Sequence, residues 1–291
     1  MKNNLVFSVF WIFISTTLFA QNGTLKESLS LESEILGKKV EYSVYFPSSY
    51  NETNRKYPVL YLLHGYTDDE TGWTQFGEVQ KIADEEMQNL AVTDMIIAMP
   101  DGGLDWYVNS YDGKTRYEDF FIQEFIPHIE KTFRAKAQKQ FRAIAGLSMG
   151  GHGAFLYALK YPDMFAAACP LSAAIWEENW VIENKQEDWD RIFGFIFGEN
   201  TGEARLTEHL KKSMPYFLLQ SQPADQLKKV KWYIDCGDDD FLIEGNMDAH
   251  RIMREREIPH EFRVRDGGHT WEYWRTALPD VLKFISVSFH R

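Results

Sequence analysis

Apolar and polar positions follow two different rhythms along the chain. In residues 29–36 and 39–46 they alternate on either side of Gly37-Lys38. Period two marks half-buried strands, so the pair predicts an antiparallel hairpin at a sheet edge. Val59-Leu60-Tyr61-Leu62-Leu63 and Met95-Ile96-Ile97-Ala98-Met99 are instead continuously apolar, as strands covered on both faces must be. Helical spacing predicts helices over 76–90 and 117–133. Strand and helix continue to alternate through 141–145, 154–159 and 165–171, and the alternation stops at Ser172. It resumes with a strand at 230–235, a helix at 246–256, a strand at 261–265 and a final helix at 273–289. The interval 172–228 is too long for a simple crossover and contains Trp176, Trp180 and Trp189, so an insertion capping a site is expected. The pattern predicts one α/β domain: an open, mostly parallel sheet with helices on both faces and chemistry at the strands' C-terminal ends.

The sharpest local signal is Gly146-Leu147-Ser148-Met149-Gly150-Gly151, where a buried strand stops and a helix begins. A serine at such a turn adopts a strained backbone, and glycines two residues before and after it let strand and helix approach. The turn would lift the Ser148 hydroxyl clear of the sheet. It would also place the Met149 N–H at a helix N-terminus, where a developing oxyanion can be held.

A serine nucleophile needs a base, and the base needs a partner that fixes its tautomer. Of eight histidines, His269 lies in the glycine-rich Asp266-Gly267-Gly268-His269 directly after the last strand, at the edge expected for Ser148. His64 also ends a strand, but its place before Gly65 suits an oxyanion loop. The acid is sought in Asp235-Cys236-Gly237-Asp238-Asp239-Asp240-Phe241-Leu242. Asp235 falls inside the strand, whereas Asp238 and Asp239 follow Gly237 as solvated or capping groups. Asp240 is favoured because Phe241 and Leu242 turn the chain back into apolar surroundings. The order Ser148, Asp240, His269 is that of the α/β-hydrolase fold. The second oxyanion donor is expected from the loop His64-Gly65-Tyr66, at the Tyr66 N–H.

Composition adds limits. With 291 residues, no repeat and no low-complexity tract, one large domain over 21–291 is the economical reading. The net charge of −12, with no basic cluster, argues against nucleic acid or an anionic membrane as partner. Residues 5–19 form an apolar run after Lys2 that suits a secretory signal over 1–20, giving a secreted or periplasmic enzyme. Leu18 departs from the usual small residue before the cleavage site, and a retained anchor is the alternative. Cys169 and Cys236 are the only cysteines; each ends a strand and is expected in the core rather than in a bridge.

Together these segments resemble the esterase D family, which includes feruloyl and acetylxylan esterases of carbohydrate esterase family one, S-formylglutathione hydrolases and mycolyltransferases. The carriers are Leu62-Leu63-His64-Gly65, Met99-Pro100-Asp101-Gly102-Gly103 with Trp106-Tyr107, the Ser148 turn, Cys236-Gly237 with Asp240-Phe241-Leu242-Ile243, and Gly267-Gly268-His269. The resemblance implies Asp240 as the acid and Tyr66 and Met149 as oxyanion donors. It further implies ester hydrolysis without metal or cofactor, with a feruloyl ester of plant-wall carbohydrate as lead substrate. Acetylxylan or short-chain acyl esters, acyl transfer to sugar hydroxyls, and a non-catalytic glycan-binding role are the alternatives. Trp106, Trp176 and Trp271 are candidates to stack on an aromatic acyl group or a sugar.

Overall fold

The computed structural model describes residues 22–289, so the expected signal over 1–20 lies outside the described residues. Eight strands form a single sheet: β1 (Thr24–Ser33), β2 (Lys38–Phe46), β3 (Val59–Leu63), β4 (Ile96–Pro100), β5 (Arg142–Leu147), β6 (Ala167–Leu171), β7 (Lys231–Gly237) and β8 (His260–Arg265), in the order β1-β2-β4-β3-β5-β6-β7-β8. The β1–β2 and β2–β4 pairs are antiparallel. Every other neighbouring pair is parallel. The alternating hairpin therefore caps one edge of an otherwise parallel sheet, as its rhythm predicts.

The continuous apolar runs are explained by two cores. Val59, Tyr61 and Leu63 of β3 face a core shared with helical residues Phe121, Phe155 and Met253. Leu60 and Leu62 face the opposite core, built with Ala83 and Leu278. Each strand thus removes both of its sides from water, worth about 1.5–3 kcal/mol per large aliphatic side chain. Asp235 is the charged exception inside a strand. It is fully buried and is met by Arg265 at 2.8 Å and by the hydroxyls of Tyr233 at 2.9 Å and Tyr273 at 2.5 Å.

Two helices differ in detail from the expected ones. The segment at 76–90 is a short turn, Gly72–Gln75, followed by a helix Val79–Gln88. The helix over 117–133 is interrupted by a π-helical stretch, Phe121–Phe125, before it continues as Ile126–Thr132. Phe121 and Phe125, at the two ends of that stretch, both face the core. The 172–228 interval is a cap of short helices; its longest unbroken helical run, residues 186–197, passes through a π-helical stretch, Asp190–Gly194. Both cysteines are buried free thiols. Among the described residues, no helix is long and apolar enough to cross a membrane.

Candidate active site

Ser148 stands between β5 and the helix Met149–Lys160 with φ 54° and ψ −114°. Such a conformation is costly for a residue with a Cβ, and surrounding contacts must hold it. The Ser148 N–H donates to the Leu171 carbonyl at 2.9 Å, while its carbonyl accepts the N–H groups of His152 at 3.0 Å and Ala174 at 3.1 Å. The flanking glycines are required: a Cβ on Gly146 would run into the Gly150 backbone, and one on Gly150 into the Leu63 carbonyl. Among the described residues, neither the Met149 nor the Tyr66 N–H donates to a protein acceptor. The Tyr66 loop backs directly onto the serine, since a Cβ on Gly65 would stand 3.6 Å from the Ser148 Cβ.

His64 has the supporting place expected of it. Its Nδ1 lies 2.8 Å from the Gly65 carbonyl, and its Nε2 accepts the Gly102 N–H at 2.7 Å. A buried neutral ring in this tautomer ties the loop after β3 to the loop after β4.

Asp240 and His269 come together from separate loops. Nδ1 of His269 lies 3.0 Å and 2.8 Å from the two Asp240 oxygens, and Oδ1 also accepts the Leu242 N–H at 2.9 Å. The carboxylate is 2 % exposed. Burial pushes its pKa up, but hydrogen bonds from His269 and the Leu242 N–H, with help from the Ser172 hydroxyl, outweigh burial and hold it below the ordinary value of 3.8. The two loops can touch because Gly237 has no side chain; a Cβ there would collide with the Gly267 carbonyl. With Nδ1 committed to Asp240, Nε2 is the nitrogen left to exchange a proton. No hydrogen bond joins it to Ser148 in this arrangement. The competing acids go elsewhere: Asp238 accepts the Gly267 N–H at 3.1 Å and Asp239 is exposed.

Ser148 opens into a cavity of about 850 Å³ walled by Tyr66, Trp106, Trp176, Trp180 and Phe193, with Phe241 at its mouth. The rings lean on one another: Tyr66 stacks on Trp106 at 5.7 Å and Trp176 on Trp180 at 4.8 Å. Trp106 reaches this wall through a positive φ of 54°, followed by Tyr107 at 60°. Trp271, the third candidate ring, opens the last helix and packs half-buried against Trp73, Phe76 and Trp274, outside the residues that line this cavity. Sequence reasoning also missed Ser172, which at φ 42° follows β6 and accepts the Trp274 indole N–H at 3.0 Å beside Asp240. No motif flags a lone serine after a strand; only the strained backbone does.

The Esterase family model matches residues 33–285. The chain belongs to that family. A solved ferulic acid esterase is 34% identical with a TM-score of 0.81, covering 92% of this chain and 99% of its own. A fluorophosphonate-binding serine hydrolase of Staphylococcus aureus is 27% identical with a TM-score of 0.76, covering 91% and 99%. An esterase of Mycobacterium tuberculosis strain H37Rv is 29% identical over 264 residues, 82% of this chain and 54% of its own. The chain thus spans about half the length of that curated relative. A xylanase/feruloyl esterase of Xylanibacter ruminicola is 36% identical over 146 residues, covering 48% of this chain and 20% of its own.

Proposed function

We propose that this Esterase family member is an exported serine carboxylic-ester hydrolase that cleaves feruloyl esters of plant cell-wall carbohydrate. The observation that carries the reading is the Asp240 carboxylate on Nδ1 of His269, beside a strained serine turn that opens into an aromatic cavity. Ser148 attacks the ester carbonyl while Nε2 of His269 takes its proton. Asp240 stabilises the imidazolium so formed, and the Tyr66 and Met149 N–H groups hold the tetrahedral oxyanion. The same imidazolium then protonates the departing sugar oxygen. Water repeats the sequence on the acyl-serine and releases the acid. The Ser148–His269 hydrogen bond forms as substrate displaces water, since such bonds are commonly long in free enzymes and tighten in the Michaelis complex.

Cavity shape supports the choice of acyl group. A phenylpropenoyl group would lie against the wall that Trp106, Trp176 and Phe193 form by packing on one another, whereas an acetyl group would leave most of that wall uncovered. Similarity to a ferulic acid esterase over nearly the whole fold supports the same choice. Export rests on the sequence of residues 1–20, and the mass of the protein recovered outside the cytoplasm would test it.

The test of function is product release from methyl ferulate, acetylated xylan and 4-nitrophenyl acetate by the wild type and by Ser148→Ala. Methyl ferulate is expected to give the highest kcat/KM. Ser148→Ala is expected to lower turnover by up to about six orders of magnitude, because triad members act as a unit. Near-wild-type turnover in that variant would end the assignment, and faster release of acetate from xylan would move it to a deacetylase.

A further inference from the structure

His152 lies one helical turn beyond Ser148 and has no part in the proposed proton relay. It is fully buried. Its main-chain N–H donates to the Ser148 carbonyl at 3.0 Å, and that same carbonyl accepts the Ala174 N–H at 3.1 Å. Nδ1 of the His152 ring lies 3.1 Å from the Ala174 carbonyl. The three contacts close a ring that joins the nucleophile turn, the helix behind it and the first residues of the cap. Two residues further on, the same cap segment presents Trp176 to the cavity. The imidazole also packs edge-on against Trp106 with centroids 5.7 Å apart, and it touches Trp176 at 6.4 Å. Two of the three tryptophans of the wall therefore pack against one side chain.

Protonation follows from the geometry. Two carbonyls lie near the ring, and the one in hydrogen-bond geometry, Ala174, meets Nδ1 at 3.1 Å, which places the proton of a neutral His152 there. Neutrality at ordinary pH is enforced by burial, which pushes the pKa down to about 4 against the opposing pull of the Ala174 and Ser213 carbonyls. Among the described residues Nε2 then makes no hydrogen bond, the nearby Ser213 carbonyl lying outside hydrogen-bond geometry. A buried polar atom left unmatched is costly, and a hydrocarbon side chain would fill the space without that cost. Packing alone does not explain a histidine here; a donor aimed at the Ala174 carbonyl does.

We propose that His152 is a positioning residue that fixes the aromatic wall relative to Ser148 and so sets the preference for aromatic over small acyl groups. The choice of substrates for its test rests on the feruloyl reading above. His152→Phe keeps a ring against the tryptophans and removes the donor, while His152→Asn keeps a donor near the position of Nδ1. Loss of one hydrogen bond's worth of positioning is expected to lower the methyl ferulate to 4-nitrophenyl acetate ratio of kcat/KM about tenfold in His152→Phe. The loss should appear mainly in KM for the ferulate, and His152→Asn should recover most of it. An unchanged ratio in His152→Phe, or an equal loss in both variants, overturns the proposal.

A second measurement holds even if the variants fail to fold. In 15N-histidine-labelled wild type, long-range 1H–15N correlations should show the proton of His152 on Nδ1 throughout pH 5–8. A proton on Nε2 overturns the proposal. Wild type inert towards methyl ferulate would sink the feruloyl reading instead, and the tautomer would then still test whether Nδ1 holds the Ala174 carbonyl.

Discussion

At the scale of single residues, Asp240 is held by more than its charge. The Leu242 N–H and the Nδ1 of His269 both donate to it, so an amide at this position would present a donor where His269 needs an acceptor. Asp240→Asn is expected to lower kcat by about 10⁴ through the wrong imidazole tautomer, measured on a nitrophenyl ester. The same contacts have a stability consequence. Because the folded pKa lies below 3.8, the ionised carboxylate stabilises the fold fully above that value, and the contribution is lost as pH falls through the lower folded one. The difference in urea midpoint between wild type and Asp240→Asn should hold steady from neutral to mildly acidic pH and shrink below about pH 4. Sequence reasoning reached this residue by an argument only half right. Leu242 does fold inward at 5 % exposure, but Phe241 stays 76 % exposed and instead lies over the His269 ring at 4.5 Å. Which of two adjacent apolar residues turns inward is decided by the loop, and no periodicity records it.

At the scale of elements, the parallel strands and their following turns were legible because each is short and locally consistent and, β6 apart, ends at or within three residues of a glycine. The Ser148 turn is the clearest case, since its glycine spacing reflects backbone collisions that any residue with a Cβ would cause. The cap was legible only as an interruption. Its helices are short or, at 186–197, broken by a π-helical stretch, so they show no clean repeat, and its order depends on a long-range hub. Arg205, 2 % exposed, donates to the carbonyls of Val181, Asn184 and Asn200 and to the Gln186 side chain, and it lies over the Trp189 ring at 4.6 Å. A lone arginine in a polar stretch gives no such warning. Arg205→Leu leaves several buried carbonyls without a donor and is expected to destabilise the protein by about 3 kcal/mol or more in urea unfolding. As the cap carries Trp176 and Trp180 into the cavity, KM for methyl ferulate should rise with it. An unchanged KM would mean that the wall is ordered by the sheet side alone.

At the scale of the molecule, charge and topology act together. Strand order brings the ends of β3, β5, β7 and β8 to one rim, which is why residues from 64 to 269 meet there. The rim was implied by alternation alone; the packing of Trp271 against Trp73 and Trp274, away from the cavity lining, was not, because Trp271 already belongs to the last helix and follows its face. The net charge of −12 is repeated locally, with Glu177, Asp188, Glu244 and Asp248 around the cavity against Arg191. That field should disfavour esters bearing a carboxylate. A feruloyl ester with a free carboxylate in its alcohol part is expected to show a KM roughly 3–10-fold above its neutral methyl ester at low ionic strength, with the gap closing in 0.5 M salt. A gap insensitive to salt would assign the discrimination to shape.

The most direct measurement is intact-protein and peptide mass spectrometry of enzyme acid-quenched during turnover of methyl ferulate. The mechanism requires a feruloyl group in ester linkage to Ser148, which should be lost on longer incubation and absent in Ser148→Ala. Ferulate released with no adduct trapped under conditions where acylation outpaces hydrolysis, or an adduct on any other residue, would contradict it.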